Sequence, residues 1–149
     1  MKRFAFRLQK LLDLRRAVVG GRRQELGEGL AHQAEAEERA DELAAASREE
    51  RAGLRRLTSA GWLDIDAVIR ERRYAGQLDV ELAVARKEVA VVEQEVDRRR
   101  ATLLEARRKS RVLEKLRDRR RTRYQQAASR AEQQELDDVA GRHVRQAEL

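Results

Sequence analysis

The stretch LDVELAVARKEVAVVEQEVDRRRATLLEARRKSRVL, residues 78–113, decides the fold class. Alternate steps of four and three from Leu78 land on Leu82, Ala85, Val89, Val92, Val96, Arg99, Leu103, Ala106, Ser110 and Leu113. Nine of these eleven positions are apolar, so a helix here carries a continuous stripe that must be covered by another helix. The same register continues through Arg117, Arg120, Tyr124, Ala127 and Ala131.

Composition agrees with that reading. Of 149 residues, 41% are charged, 3% are aromatic and none is proline, while the 41% apolar fraction is mostly Ala, Leu and Val. Such a balance marks long helices or a coiled coil, and the regular Leu and Val spacing argues against a disordered chain. With no cysteine, neither a disulfide framework nor a thiolate metal site is available. The basic start MKRFAFRLQKLLDLRR has no apolar run of signal-peptide length, and no stretch is apolar enough to span a bilayer, so a cytoplasmic, soluble protein is expected.

The chain breaks once, at LTSAGWLDIDAV, residues 57–68. Ser59 and Gly61 favour a turn, and Asp64 fits an N-cap for a helix with Asp66 in its first turn. The expected fold is all-α: a single antiparallel two-helix coiled-coil hairpin over residues 1–149. Helix 1 is expected over about residues 3–57, the turn over about 58–63 and helix 2 over about 64–140, with a frayed tail. Helix 1 has a looser stripe, on Leu12, Val19, Leu26, Ala36, Ala40, Leu43, Leu54 and Leu57. Gly20, Gly21, Gly27 and Gly29 each cost about 1 kcal/mol of helix propensity relative to Ala and make this its weak part. A turn near residue 61 sets Leu8 against Leu113, Val19 against Leu103, Leu26 against Val96, Leu30 against Val92 and Ala40 against Leu82. Beyond about residue 121 helix 2 then overhangs its partner.

Folding the chain back collects charge. Residues 1–23 hold eight basic groups and one acid, residues 98–123 hold thirteen and three, and both fall at the same end of the expected hairpin. Nearer the turn, residues 35–50 hold seven acids and two arginines. No phosphate-binding loop, nucleophile–base pair or rigid carboxylate pair is present, so no catalytic, cofactor or metal residue is assigned. His32 and His143 read as surface residues. A nucleic-acid-binding basic rod is disfavoured, because Glu105, Glu114 and Asp118 interleave the arginines and few aromatics could stack on bases. Arg117 and Arg120 occupy seam register and Leu116 lies off it, with Phe4 and Phe6 opposite; this pattern suits docking on an acidic protein surface. A structural scaffold or dimerisation coiled coil is the alternative.

The N-terminal FAFRLQKLLDLRR, through Phe4, Phe6, Leu8, Leu11, Leu12 and Arg15, resembles the flagellar export protein FliJ family. So do Leu113, Glu114 and Leu116 and the later EQQELDDVA, through Glu132, Gln133, Leu136, Asp137, Asp138 and Ala140. Tyr74 and Leu78, an aromatic and a leucine at helical spacing, add to the likeness. The resemblance implies a non-enzymatic, stalk-like antiparallel coiled coil of the flagellar type III export apparatus, acting in flagellum biogenesis and motility. Its implied partners are the hexameric flagellar export ATPase, the export-gate membrane protein and export chaperones, with no nucleic acid and no membrane insertion. Its implied place is the cytoplasmic face of the flagellar base. The ATPase end is expected at Phe4, Phe6, Leu8, Leu12, Leu113, Leu116, Arg117, Arg120, Arg121 and Tyr124. The gate or chaperone end is expected near the turn, at Tyr74 and Leu78, with Leu43, Trp62 and Ile69 added as apolar neighbours.

Overall fold

A computed structural model describes residues 3–59, 61 and 64–147, with side chains to residue 140. It contains two helices, α1 (Gln9–Ser59) and α2 (Ile65–Ala147), and no strand among the described residues. No helix among them is long and apolar enough to cross a membrane.

The ends of the helices follow from local chemistry. α1 opens at Gln9 rather than near residue 3, because the Phe6 carbonyl accepts the Gln9 N–H at 2.9 Å and turns the chain just ahead of it. That turn buries the Phe6 ring. At the other end the hydroxyls of Thr58 and Ser59 donate to carbonyls of the last turn, including Arg55, which would otherwise lack partners. Asp64 is the N-cap of α2: its Oδ1 accepts the Ala67 N–H at 3.1 Å, and Asp66 lies in the first turn. α2 then continues to Ala147, past the expected end near residue 140.

The chain divides into two compact units: unit 1, Met1–Gly20 with Glu105–Leu149, and unit 2, Gly21–Leu104. Within each, a segment of α1 packs antiparallel on a segment of α2.

In unit 2 the α2 side of the seam is Ala75, Leu78, Ala85, Val96 and Leu103, all buried, with Leu82, Val89, Val92 and Arg99 half-buried between them. The α1 side is narrow: Gly29, Ala36 and Ser47 are buried, and Leu26, Ala40 and Leu43 are half-buried. Val96, at 1% exposure, is the centre of this core, and full burial of such a side chain is worth about 1.5–3 kcal/mol. The facing pairs differ from the expected ones by about one helical turn. Gly29, not Leu26, lies under Val96, and Ala40 lies beside Val89 and Arg86 rather than Leu82. Leu30, expected against Val92, is exposed, as is Leu57. The connector runs from residue 60 to 64, so its midpoint falls past the expected turn, and the small residues of α1 fix which face meets α2.

In unit 1 the core is Phe6, Leu12, Ala106 and Ser110, with Leu8, Leu113, Leu116, Arg117 and Tyr124 half-buried. Leu12 is completely enclosed. Arg16 Nε donates to Glu114 Oε1 at 3.0 Å, so Arg16 rather than Leu8 lies near the level of Leu113. The expected extension of the seam stops at Tyr124, since Ala127 and Ala131 are both exposed.

Candidate functional site: protein-docking surfaces

In unit 1 the residues expected at an ATPase end separate into two kinds. Phe6 and Leu12 are core, and their side chains are consumed by the fold itself. Phe4 and Tyr124 are half-buried against each other, ring centroids 5.7 Å apart and tilted by 49°. Arg120, though exposed, lays its guanidinium 5.9 Å from the centre of the Phe6 ring, a cation–π contact that ties α2 to the N-terminal turn. Arg117 is half-buried and turns back onto Asp118, with Nη2 3.2 Å from Oδ1. Leu8, Leu113 and Leu116 are half-buried, while Arg121 is exposed.

The electrostatics of this unit turn on a mismatch of numbers. Between residues 105 and 123 there are ten basic side chains and three acids. Each acid is already engaged: Glu105 by Lys109, Glu114 by Arg16, and Asp118 by Arg117. The Lys109 ammonium holds the Glu105 carboxyl below its ordinary range by hydrogen bond and charge, against a small opposing effect of burial. Arg107, Arg108, Arg111, Lys115, Arg119, Arg121 and Arg123 are exposed and make no ion pair among the described residues. Lys115, Asp118, Arg119, Thr122 and Arg123 line an open depression of about 450 Å³ on this surface. Residues 11, 14 and 18 of α1 add an exposed apolar face of Leu11, Leu14 and Val18, which the 3-4 pattern of the seam did not reveal.

In unit 2 the residues expected at a gate or chaperone end also separate. Leu78 is buried and Leu43 half-buried, so both are seam residues; Ile69 and Tyr74 are exposed on α2. Trp62 lies outside the described residues. Two polar inserts mark the seam nearby. Ser47 Oγ donates to Asp79 Oδ1 at 2.9 Å, and Arg51 Nη2 contacts both Asp79 oxygens at 2.9 Å. These donors, Arg51 foremost, hold the Asp79 carboxyl below its ordinary range. Further up α2, Arg99 Nη1 donates to the Glu25 carbonyl over the bare backbone of Gly29, while its Nε keeps Glu95 at 3.2 Å. Nearer the turn, Glu50 hydrogen-bonds the Glu71 carboxyl, and that bond, with some burial and the charges of Glu71 and Glu49, raises the Glu50 pKa.

No group of three or more His, Asp or Glu side chains positioned to hold a metal occurs among the described residues. What the described surface offers is charge and exposed apolar side chains on helices, and these define a class: an all-helical two-helix protein whose chemistry is protein docking. A family model described as "Flagellar FliJ protein" matches residues 4–149, and the chain belongs to the FliJ family. It is thereby a flagellar, export-associated protein of a non-catalytic family. No curated protein and no solved structure matches it.

Proposed function

We propose that the chain is a stalk and coupling component of the flagellar type III export apparatus, at the cytoplasmic face of the flagellar base. In this reading the basic surface of unit 1 docks in the hexameric export ATPase. The turn-proximal part of unit 2, through Tyr74 and Ile69 in particular, contacts the export-gate membrane protein or export chaperones. The part of α2 beyond Tyr124, expected to overhang, is the segment that enters the ring.

The observation that carries the reading is the cation excess of residues 105–123, where all three acids are internally paired and seven basic side chains remain exposed. An uncompensated basic surface on a helix raises the encounter rate with an acidic partner and fixes its orientation. Arg119, Arg121 and Arg123 are suited to the test because none touches Phe6 or closes an ion pair in the fold. Changing all three to Glu is expected to remove the export ATPase from a pull-down at physiological salt, with helicity by circular dichroism unchanged. Retained ATPase binding by the triple variant would overturn the docking assignment.

A further inference from the structure

α2 carries a second apolar stripe that the hairpin leaves uncovered. Ile69, Val80 and Val91 are spaced eleven residues apart, with Ile65 and Val84 beside them. A straight helix advances about 100° per residue, so eleven residues complete three turns to within about 20°. These side chains therefore form one line about 33 Å long from Ile69 to Val91. Leu78, Ala85 and Val96, which bury against α1, project from the other side of the helix. Ile69 is 47% exposed, Val80 65% and Val91 66%, a concentration of bare β-branched side chains that a monomer does not need.

We infer that this face is a self-association surface whose occupant is the same face of a second copy of the chain, lying antiparallel about Val80. The equal spacing selects that arrangement. A two-fold axis at Val80 sets Ile69 against Val91 of the second copy, Val91 against its Ile69, and Val80 against its own counterpart. It also sets Val84 against Gly76, so a branched side chain meets a backbone without a side chain.

The charges bordering the stripe agree. Arg70 and Arg73 border its N-terminal half, and Glu88 borders the same edge of its C-terminal half. All three make no ion pair or side-chain hydrogen bond among the described residues. Antiparallel pairing joins like edges, which brings Glu88 of each copy between Arg70 and Arg73 of the other. Parallel pairing would set each arginine level with its own copy. Lys87 is the remaining cation on the stripe, and its long stem carries the ammonium to the rim. The surface lies wholly in unit 2 and uses none of the basic side chains assigned to ATPase docking, so it stands independently of that reading.

Sedimentation of the full chain at tens of micromolar should give twice the 17.2 kDa mass of one chain. Val80→Glu should return it to the single mass with unchanged helicity. Because the chain has no cysteine, Val80→Cys offers a second readout: mild oxidation should convert most of it to a disulfide-linked dimer. Glu93→Cys, exposed but off the stripe, should stay monomeric. The pair Arg70→Glu with Arg73→Glu, and Glu88→Arg alone, should each weaken association about tenfold or more, and the three together should recover it. A chain that is monomeric throughout, a dimer indifferent to Val80→Glu, or equal crosslinking at residues 80 and 93 would each overturn the inference.

Discussion

Gly29 separates two effects that glycine combines in a helix. Substituting Ala removes the conformational cost of glycine and stabilises a helix interior by about 0.8–1.0 kcal/mol. At Gly27 nothing lies within 4 Å of an added Cβ, so Gly27→Ala should deliver that gain in full. At Gly29 the added Cβ would lie 3.1 Å from Arg99 Cδ, 3.3 Å from Arg99 Nη1 and 3.4 Å from Val96 Cγ2. Val96 is fixed in the core, so Arg99 must move, and with it the hydrogen bond to the Glu25 carbonyl. A hydrogen bond from a charged donor is worth about 1.5–3 kcal/mol. Set against the propensity gain, its loss leaves Gly29→Ala about 0.5–2 kcal/mol less stable than the parent. Urea denaturation followed by circular dichroism measures both variants, and Arg99→Ala supplies the control. With the guanidinium gone, Gly29→Ala should become stabilising by about the same amount as Gly27→Ala. If Gly29→Ala stabilises the parent as much as Gly27→Ala does, Arg99 and Gly29 are not coupled and the argument fails.

Two further predictions concern the cores and the polar inserts. Leu12→Ala, at a fully enclosed position, should cost about 2–5 kcal/mol, whereas Leu14→Ala on the exposed face of α1 should stay within about 0.5 kcal/mol by the same denaturation assay. The carboxylates of unit 2 should titrate in opposite senses. Asp79 has a depressed pKa, so its contribution is present above the unfolded value near 3.9 and lost as pH falls through the folded one. Glu50 is raised, so its contribution is present below the unfolded value near 4.3 and lost as pH rises through the folded one. Thermal melts from pH 3 to 7 should show Asp79→Asn flattening the acid limb. Glu50→Gln should raise the melting temperature at neutral pH, with the difference closing as pH falls towards 4; the opposite order would refute the assignment.

The α2 seam was legible because its positions hold so many β-branched and leucine side chains that one period dominates: Leu78, Ala85, Val96, Leu103 and Ala106 are all buried where the 4-3 spacing puts them. Asp64 was legible for a different reason, since an acid three residues before a free N–H has one obvious use. α1 was harder. Its seam runs through Gly29, Ala36 and Ser47, residues whose hydropathy says little about burial, so Leu30 took the place in the pattern that Gly29 holds in the structure. Among the candidate docking residues, the basic side chains were visible as charge, but Phe6 and Leu12 could not be separated from an exposed patch without knowing that the chain turns at Phe6 and encloses them. The outer stripe of α2 escaped because its period is eleven residues, which a seven-residue template does not count.

The polar inserts of unit 2 also bear on mechanics. A heptad seam of plain aliphatics permits its helices to slip by seven residues and repack. Here such a slip would carry Arg99 from Gly29 onto Arg22, a like charge, or onto Ala36, whose methyl occupies the gap the guanidinium needs. Asp79 would move from Ser47 to Ala40 or Leu54, leaving a carboxylate against hydrocarbon. The two helices of unit 2 are thus keyed rather than merely greased together. A pull or torque applied to one is passed to the other at fixed phase instead of being dissipated by sliding.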